Sequence, residues 1–126
     1  MIFTDTHTHL YSKEFETDRN TLIQKALAAG VKRMFMPNIS KDSISSLFEV
    51  EQQFPEFCFP MMGLHPCSVA GNVEEELTIV EEWMEKRKFA AIGEIGIDLY
   101  WDKTFFKQQQ EAFRRQIMLA KKYELA

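Results

Sequence analysis

Cysteine is scarce in this chain: Cys58 and Cys67 are the only two among 126 residues. One lies in an apolar run and the other beside a proline, so neither a disulfide framework nor a cysteine-type zinc site is indicated, and reduced thiols are expected. Long apolar runs are missing as well. No stretch approaches the roughly 18 apolar residues that a membrane span needs, and the N-terminus lacks the basic region and apolar segment of a secretory leader. A cytoplasmic protein with no membrane partner is the expectation. Positive charge is not in excess. The formal net charge is -4 and the pI is near 5.4, which argues against binding nucleic acid mainly through a broad basic face. Phosphates would have to be held locally, and a bound divalent cation concentrates positive charge at one point. Phosphate-binding glycine patterns are also lacking: the first apolar run is followed by HTHLYSKEF, with no GxGxxG or GxxxxGK(S/T), so dinucleotide and P-loop folds lose ground. Repeats, low-complexity tracts and long linkers are absent, and residues 1–126 read as a single domain.

What is present is a 45% hydrophobic chain, enough for a core, in which short apolar runs alternate with longer amphipathic stretches. That rhythm is βα. Strands are expected at 2–6 (IFTDT), 32–37 (KRMFMP), 57–62 (FCFPMM) and 89–93 (FAAIG). Between them, Leu22, Ile23, Ala26 and Leu27 recur at helical spacing and stop at Gly30, a left-handed helix end. A second helix over 41–53 carries Ile44, Leu47 and Phe48 behind Ser40 as N-cap. The third opens with Asn72 and Glu75 at capping-box spacing, points Leu77, Val80, Trp83 and Met84 inward, and ends in the basic run EKRK. The last, over 104–123, has Thr104 as its cap and a stripe of Phe106, Phe113, Ile117 and Ala120. Four βα units with right-handed crossovers permit either an open parallel sheet or half of an eight-stranded barrel, and length does not choose between them.

The residues that carry chemistry fall at the carboxyl ends of these strands. In FTDTHTHLYSKEF (3–15), if residues 2–9 stay extended, Phe3, Asp5, His7 and His9 share one face. Two imidazoles side by side can chelate one metal ion; the plain alternative is a polar loop with two solvated histidines. In AAIGEIGIDLYWD (90–102), Gly93 and Gly96 bracket Glu94, which suggests a tight backbone presenting a carboxylate. Turn punctuation with Glu94 and Asp98 solvated is the competing reading. In GLHPCS (63–68), His65 before Pro66 is either part of a rigid turn or a ligand for substrate phosphate. Three of four strands thus end in His or Glu where parallel α/β folds place their active sites.

The segments FTDTHTHL, GLHPCS and GEIGIDLYWDK, in this order and spacing, closely resemble the N-terminal half of the TatD-type metal-dependent deoxyribonucleases, and KTFFKQQQEAFRRQIMLAKKYEL resembles that family's fourth helix. The resemblance covers essentially the whole chain. It implies a TIM-barrel fold of which these residues form the first four of eight βα units, a half barrel with parallel strands. It also implies divalent cations at the barrel mouth (zinc, magnesium or manganese) and DNA phosphodiesters as substrate. By position, His7 and His9 match the first metal ligands, Glu94 matches a carboxylate that ligates or bridges the metals, and His65 matches a histidine on the substrate side. Cys67 stands where many relatives have a second histidine.

The family completes its site with two further histidines and an aspartate from later strands. No histidine follows His65, and a whole barrel needs about 250 residues. The sequence therefore reads as a truncated or interrupted half barrel, with weak metal binding, little nuclease activity and no identified catalytic base. Open sheet edges, with Phe3, Met34 and Met36 uncovered on the inner face, would favour self-association. Two other readings stand beside this one: a nonenzymatic half barrel that self-associates, and an amidohydrolase-like enzyme acting on a small molecule.

Overall fold

The computed structural model describes all residues 1–126. Three strands form a parallel sheet in the order β1 (Phe3–Asp5), β2 (Val31–Pro37), β3 (Cys58–Met61). Helices α1 (Arg19–Ala28), α2 (Ile44–Gln53), α3 (Val73–Lys86) and α4 (Phe106–Tyr123) follow in turn, with 3-10 turns at Lys13–Phe15, Lys41–Ser43 and Pro66–Ser68. This is an α/β fold of parallel βα units with an open, unclosed sheet.

Where the chain passes from α1 to β2, Gly30 adopts φ +96°, and a Cβ there would lie 3.0 Å from the Met1 carbonyl oxygen. A side chain is therefore strained by the left-handed backbone and would also make a tight contact. The second helix starts later than its sequence suggests. Residues 41–43 form a 3-10 turn in which Ser43 Oγ accepts from the backbone N–H groups of Ile39 and Ser40.

The fourth expected strand, 89–93, is reduced to one parallel bridge between Met62 and Ile92. Its backbone still follows β3, through Ala90 N–H to the Pro60 carbonyl and Met62 N–H to the Ala91 carbonyl. It then leaves the sheet direction at Gly93, where Glu94 N–H bonds the Asn38 carbonyl. The Ile92 N–H on the outer side donates to the carbonyl of Ala126.

Met34 and Met36 are corrected by the structure. They do not face the inside of the open sheet but lie fully buried in one core with Ile23, Leu47, Val50 and Cys58. Alternation along β2 turns Phe35 to the other face, where it meets Phe59 of β3 with ring centroids 5.5 Å apart. Phe3 is half-exposed, as expected. A second core lies against α3 and α4 and contains Met62, Leu64, Leu77, Val80, Met84, Ala112 and Leu119. Each large apolar side chain buried in this way contributes about 1.5–3 kcal/mol.

Two expected caps are also corrected. Asn72 stands at the start of α3 but makes no capping bond with its side chain, and the Glu75 carboxylate, the other half of the expected capping box, accepts from Lys41 Nζ at 2.7 Å. Thr104 lies in a turn closed by its N–H on Asp102 Oδ1, one residue before the N-cap position Phe105.

The buried face of α4 is not the apolar stripe. It consists of Gln109, Ala112, Gln116 and Leu119, whereas Phe113, Ile117 and Ala120 are half-buried and Phe106 is exposed. The reason is the backbone beneath it. Residues 64 and 98 lie outside any strand, and their peptide groups need partners. Gln116 accepts from Leu64 N–H at 2.7 Å and donates to the Leu64 carbonyl at 3.2 Å. Gln109 treats Asp98 in the same way, at 2.8 and 3.0 Å.

Candidate metal centre

Side chains from three strand ends converge at the carboxyl edge of the sheet. His7 and His9 follow β1, His65 follows β3 and Glu94 follows the segment 89–93. Although β1 ends at Asp5, Thr8 N–H still bonds the Phe35 carbonyl at 3.0 Å, so the chain stays beside β2 and the two histidines come together. Asp5 does not join them; its carboxylate accepts from the His7 backbone N–H.

Backbone proximity brings the other two side chains in. A Cβ on Gly63 would lie 2.7 Å from the Gly93 carbonyl carbon, so only glycine lets these two strand ends touch. Asn38, buried at the end of β2, fastens both. Its N–H donates to the Gly93 carbonyl, its carbonyl accepts from Glu94 N–H, and its side-chain amide donates to the Gly63 carbonyl at 2.9 Å.

The resulting distances are short. His7 Nε2 and His9 Nε2 lie 3.1 Å apart, and Glu94 Oε2 lies 3.0 Å from the first and 3.3 Å from the second. His65 Nε2 is 3.2 Å from the other carboxylate oxygen, Oε1.

Proton positions follow from the surrounding partners. The Tyr11 hydroxyl gives its single proton to the Pro37 carbonyl at 2.5 Å. It can then only accept from His9 Nδ1, 2.9 Å away, which places the His9 proton on Nδ1 and turns the Nε2 lone pair toward Glu94. Burial is the largest influence on His9 and lowers its pKa, ahead of the opposing effect of Glu94, so the ring is neutral at neutral pH, the form that ligates metals. His65 has the opposite tautomer. Its Nδ1 accepts from Cys67 N–H at 3.0 Å, so its Nε2 carries the proton and donates to Glu94.

This donor set suits a divalent cation. His7 Nε2, His9 Nε2 and Glu94 Oε2 are three acceptor atoms that share at most one proton, that of His7 Nε2. Nitrogen and oxygen ligands bonded at about 2.0–2.2 Å in a tetrahedral array sit roughly 3.3–3.5 Å from one another, close to the separations found. These three residues can therefore hold one ion, while His65 presents an N–H rather than a lone pair.

The histidines and Glu94 were all legible from the strand ends. Tyr11, Asn38 and Gly63 were not. An asparagine directly after an apolar strand and a tyrosine two residues past a histidine are weak signals, because neither pattern shows what the side chain faces across the sheet.

A family model described as TatD related DNase matches residues 4–126. The chain is 35% identical over 125 residues to "Uncharacterized metal-dependent hydrolase YabD" of Bacillus subtilis, covering 99% of this chain and 48% of the relative. It is 25% identical over 116 residues to "3'-5' ssDNA/RNA exonuclease TatD" of Dickeya dadantii, covering 92% and 44%. The crystal structure of YjjV, a TatD homologue from Escherichia coli, superposes with a TM-score of 0.85 at 30% identity, over 98% of this chain and 48% of that one. The chain thus spans about half the length of the relatives it matches. No helix is long and apolar enough to cross a membrane.

Proposed function

Because the chain belongs to the TatD-related DNase family, we propose that it is the metal-binding portion of a hydrolase that cleaves phosphodiester bonds of DNA, built as the first four βα units of an eight-unit barrel. The observation that carries this reading is the convergence of His7 Nε2, His9 Nε2 and Glu94 Oε2 within 3.0–3.3 Å of one another. A divalent cation held there, zinc, magnesium or manganese, supplies charge neutralisation at a phosphoryl oxygen and acidifies water.

The chain's own residues do the rest. Tyr11 orients His9, and Asn38 with Gly63 sets the position of Glu94. His65 holds an N–H at the edge of the cluster, free to donate to a phosphate oxygen once Glu94 turns to a cation. No side chain of the cluster would be left to take a proton from water, since the lone pairs of His7, His9 and Glu94 would be used on the cation and His65 presents an N–H. Turnover by these residues alone is therefore slow, and the function is read first as metal-dependent binding.

Calorimetric titration of the purified chain with zinc and with manganese tests this, alongside cleavage of a single-stranded oligonucleotide. One ion per chain is expected, with loss of binding in His7→Ala, His9→Ala and Glu94→Gln. His65→Ala should keep its metal affinity within a few-fold while losing oligonucleotide binding or cleavage. Equal metal uptake by Glu94→Gln and the parent would overturn the reading.

A further inference from the structure

Tyr100 and Trp101 are 82% and 79% exposed, the most exposed aromatic side chains in the molecule. Their rings meet edge to face, with centroids 4.7 Å apart at 87°, which leaves ring faces open to solvent. We propose that this pair is a stacking platform for a base of single-stranded nucleic acid whose neighbouring phosphodiester lies at the His7, His9, Glu94 cluster; the proposal rests on the phosphodiester reading above.

Position is the first argument. The pair sits in the loop that leaves Glu94, on the side of the sheet that carries the cluster. Trp101 lines a cavity of about 50 Å³ together with Cys67 and Asp98. Cys67 N–H bonds His65, and His65 bonds Glu94, so the cavity that Trp101 lines has a wall residue bonded to the edge of the cluster.

Rigidity is the second. Two exposed aromatic rings on a loose loop would bind little, since ordering them would consume the gain. The backbone of this loop is anchored on the side nearest Glu94, where Gln109, itself buried, holds both the N–H and the carbonyl of Asp98. The Asp98 carboxylate accepts from Tyr100 N–H at 2.8 Å, and that of Asp102 accepts from Thr104 N–H at 2.8 Å.

Charge is the third. From residue 97 to 105 the loop holds two carboxylates, Asp98 and Asp102, against one cation, Lys103. A loop of that balance does not gather phosphates. It suits a flat, uncharged group, and aromatic rings stack on any base irrespective of sequence.

Fluorescence separates the possibilities, because the chain has only two tryptophans and the other, Trp83, packs edge-on against Phe48. In a Trp83→Phe background with magnesium present, a short deoxyadenylate oligomer should quench Trp101. An oligomer of the same length with abasic sugars should not. By anisotropy of the labelled adenylate oligomer, Trp101→Ala should bind about tenfold more weakly and Trp101→Phe should recover most of the loss, with unchanged thermal melting in both. The abasic oligomer should bind parent and Trp101→Ala alike. Equal affinity of parent and Trp101→Ala for the adenylate oligomer would overturn the platform and leave the phosphodiester reading standing. No binding of either oligomer by the parent would overturn both. Quenching that grows with protein concentration without any oligomer would show a second copy covering the pair, and would also overturn the proposal.

Discussion

His9 is held by Tyr11: its Nδ1 lies 2.9 Å from a hydroxyl whose only proton is committed to the Pro37 carbonyl. The relationship links the end of β1 to the end of β2 and decides which imidazole nitrogen faces Glu94. Partners of this kind typically change metal affinity by about 10–100-fold when removed. Tyr11→Phe should therefore bind zinc at least tenfold more weakly by calorimetry. It should also lose about 1–3 kcal/mol of stability in urea, since the buried Pro37 carbonyl loses its donor. Unchanged zinc affinity with intact folding would show that Tyr11 does not orient His9.

Gly63 tests the backbone contact that brings His65 and Glu94 together. An alanine Cβ would lie 2.7 Å from the Gly93 carbonyl carbon, and two backbones cannot yield as a side-chain tip does. Gly63→Ala should cost about 1–3 kcal/mol of stability by strain alone and should also lower metal affinity, because Glu94 follows Gly93 directly. Gly71, with nothing within 4 Å of its added Cβ, is the control: Gly71→Ala should leave metal affinity unchanged.

The contrast between those glycines shows what a single sequence reveals. Alternation and spacing located three strands and the apolar faces of the first three helices, and the ends of the apolar runs carried His7, His9, His65 and Glu94 in plain view. What stayed hidden depends on contacts between distant segments. Met34 and Met36 pointed to the helices rather than the open face because alternation fixes two sides of β2 without saying which one the helices cover. The stripe of Phe106, Phe113, Ile117 and Ala120 on α4 gave no sign of Gln109 and Gln116, which are buried because the irregular backbone under that helix asks for hydrogen bonds rather than apolar contact. The segment 89–93 has the composition of a strand but leaves its neighbour at Gly93 to bond Asn38.

The two thiols should separate chemically. Burial pushes the Cys58 thiol from 9.0 up to about 11, and burial together with the neighbouring Asp98 carboxylate also raises Cys67, but only Cys67 is exposed. In the folded protein a thiol reagent should modify one cysteine per chain, faster as pH rises, and the second only on unfolding. The pH dependence has a definite sign: a folded pKa above the unfolded one gives stability that is complete below pH 9.0 and is lost as pH rises through about 11. Urea midpoints between pH 8 and 11 should fall less steeply in Cys58→Val than in the parent; parallel slopes would show that Cys58 does not carry the loss.

The sheet edges make the last prediction. All three residues of β1 are exposed, so the strand presents unpaired backbone groups on its outer side, a template for another strand. On the opposite side the Ile92 N–H is occupied by the Ala126 carbonyl, which leaves β1 the freer edge. Exposed Ile2 and Phe3 add apolar surface beside it, and Met118 and Ile97 form a separate exposed apolar area near α4. Pairing of β1 with a second copy should give a sedimentation coefficient that rises with protein concentration in the micromolar range. Ile2→Lys should shift the chain toward monomer by placing a charge at the edge, while Met118→Glu should not. If Met118→Glu alone abolished association, the α4 surface would be the contact instead, and a concentration-independent monomer would remove the edge from consideration altogether.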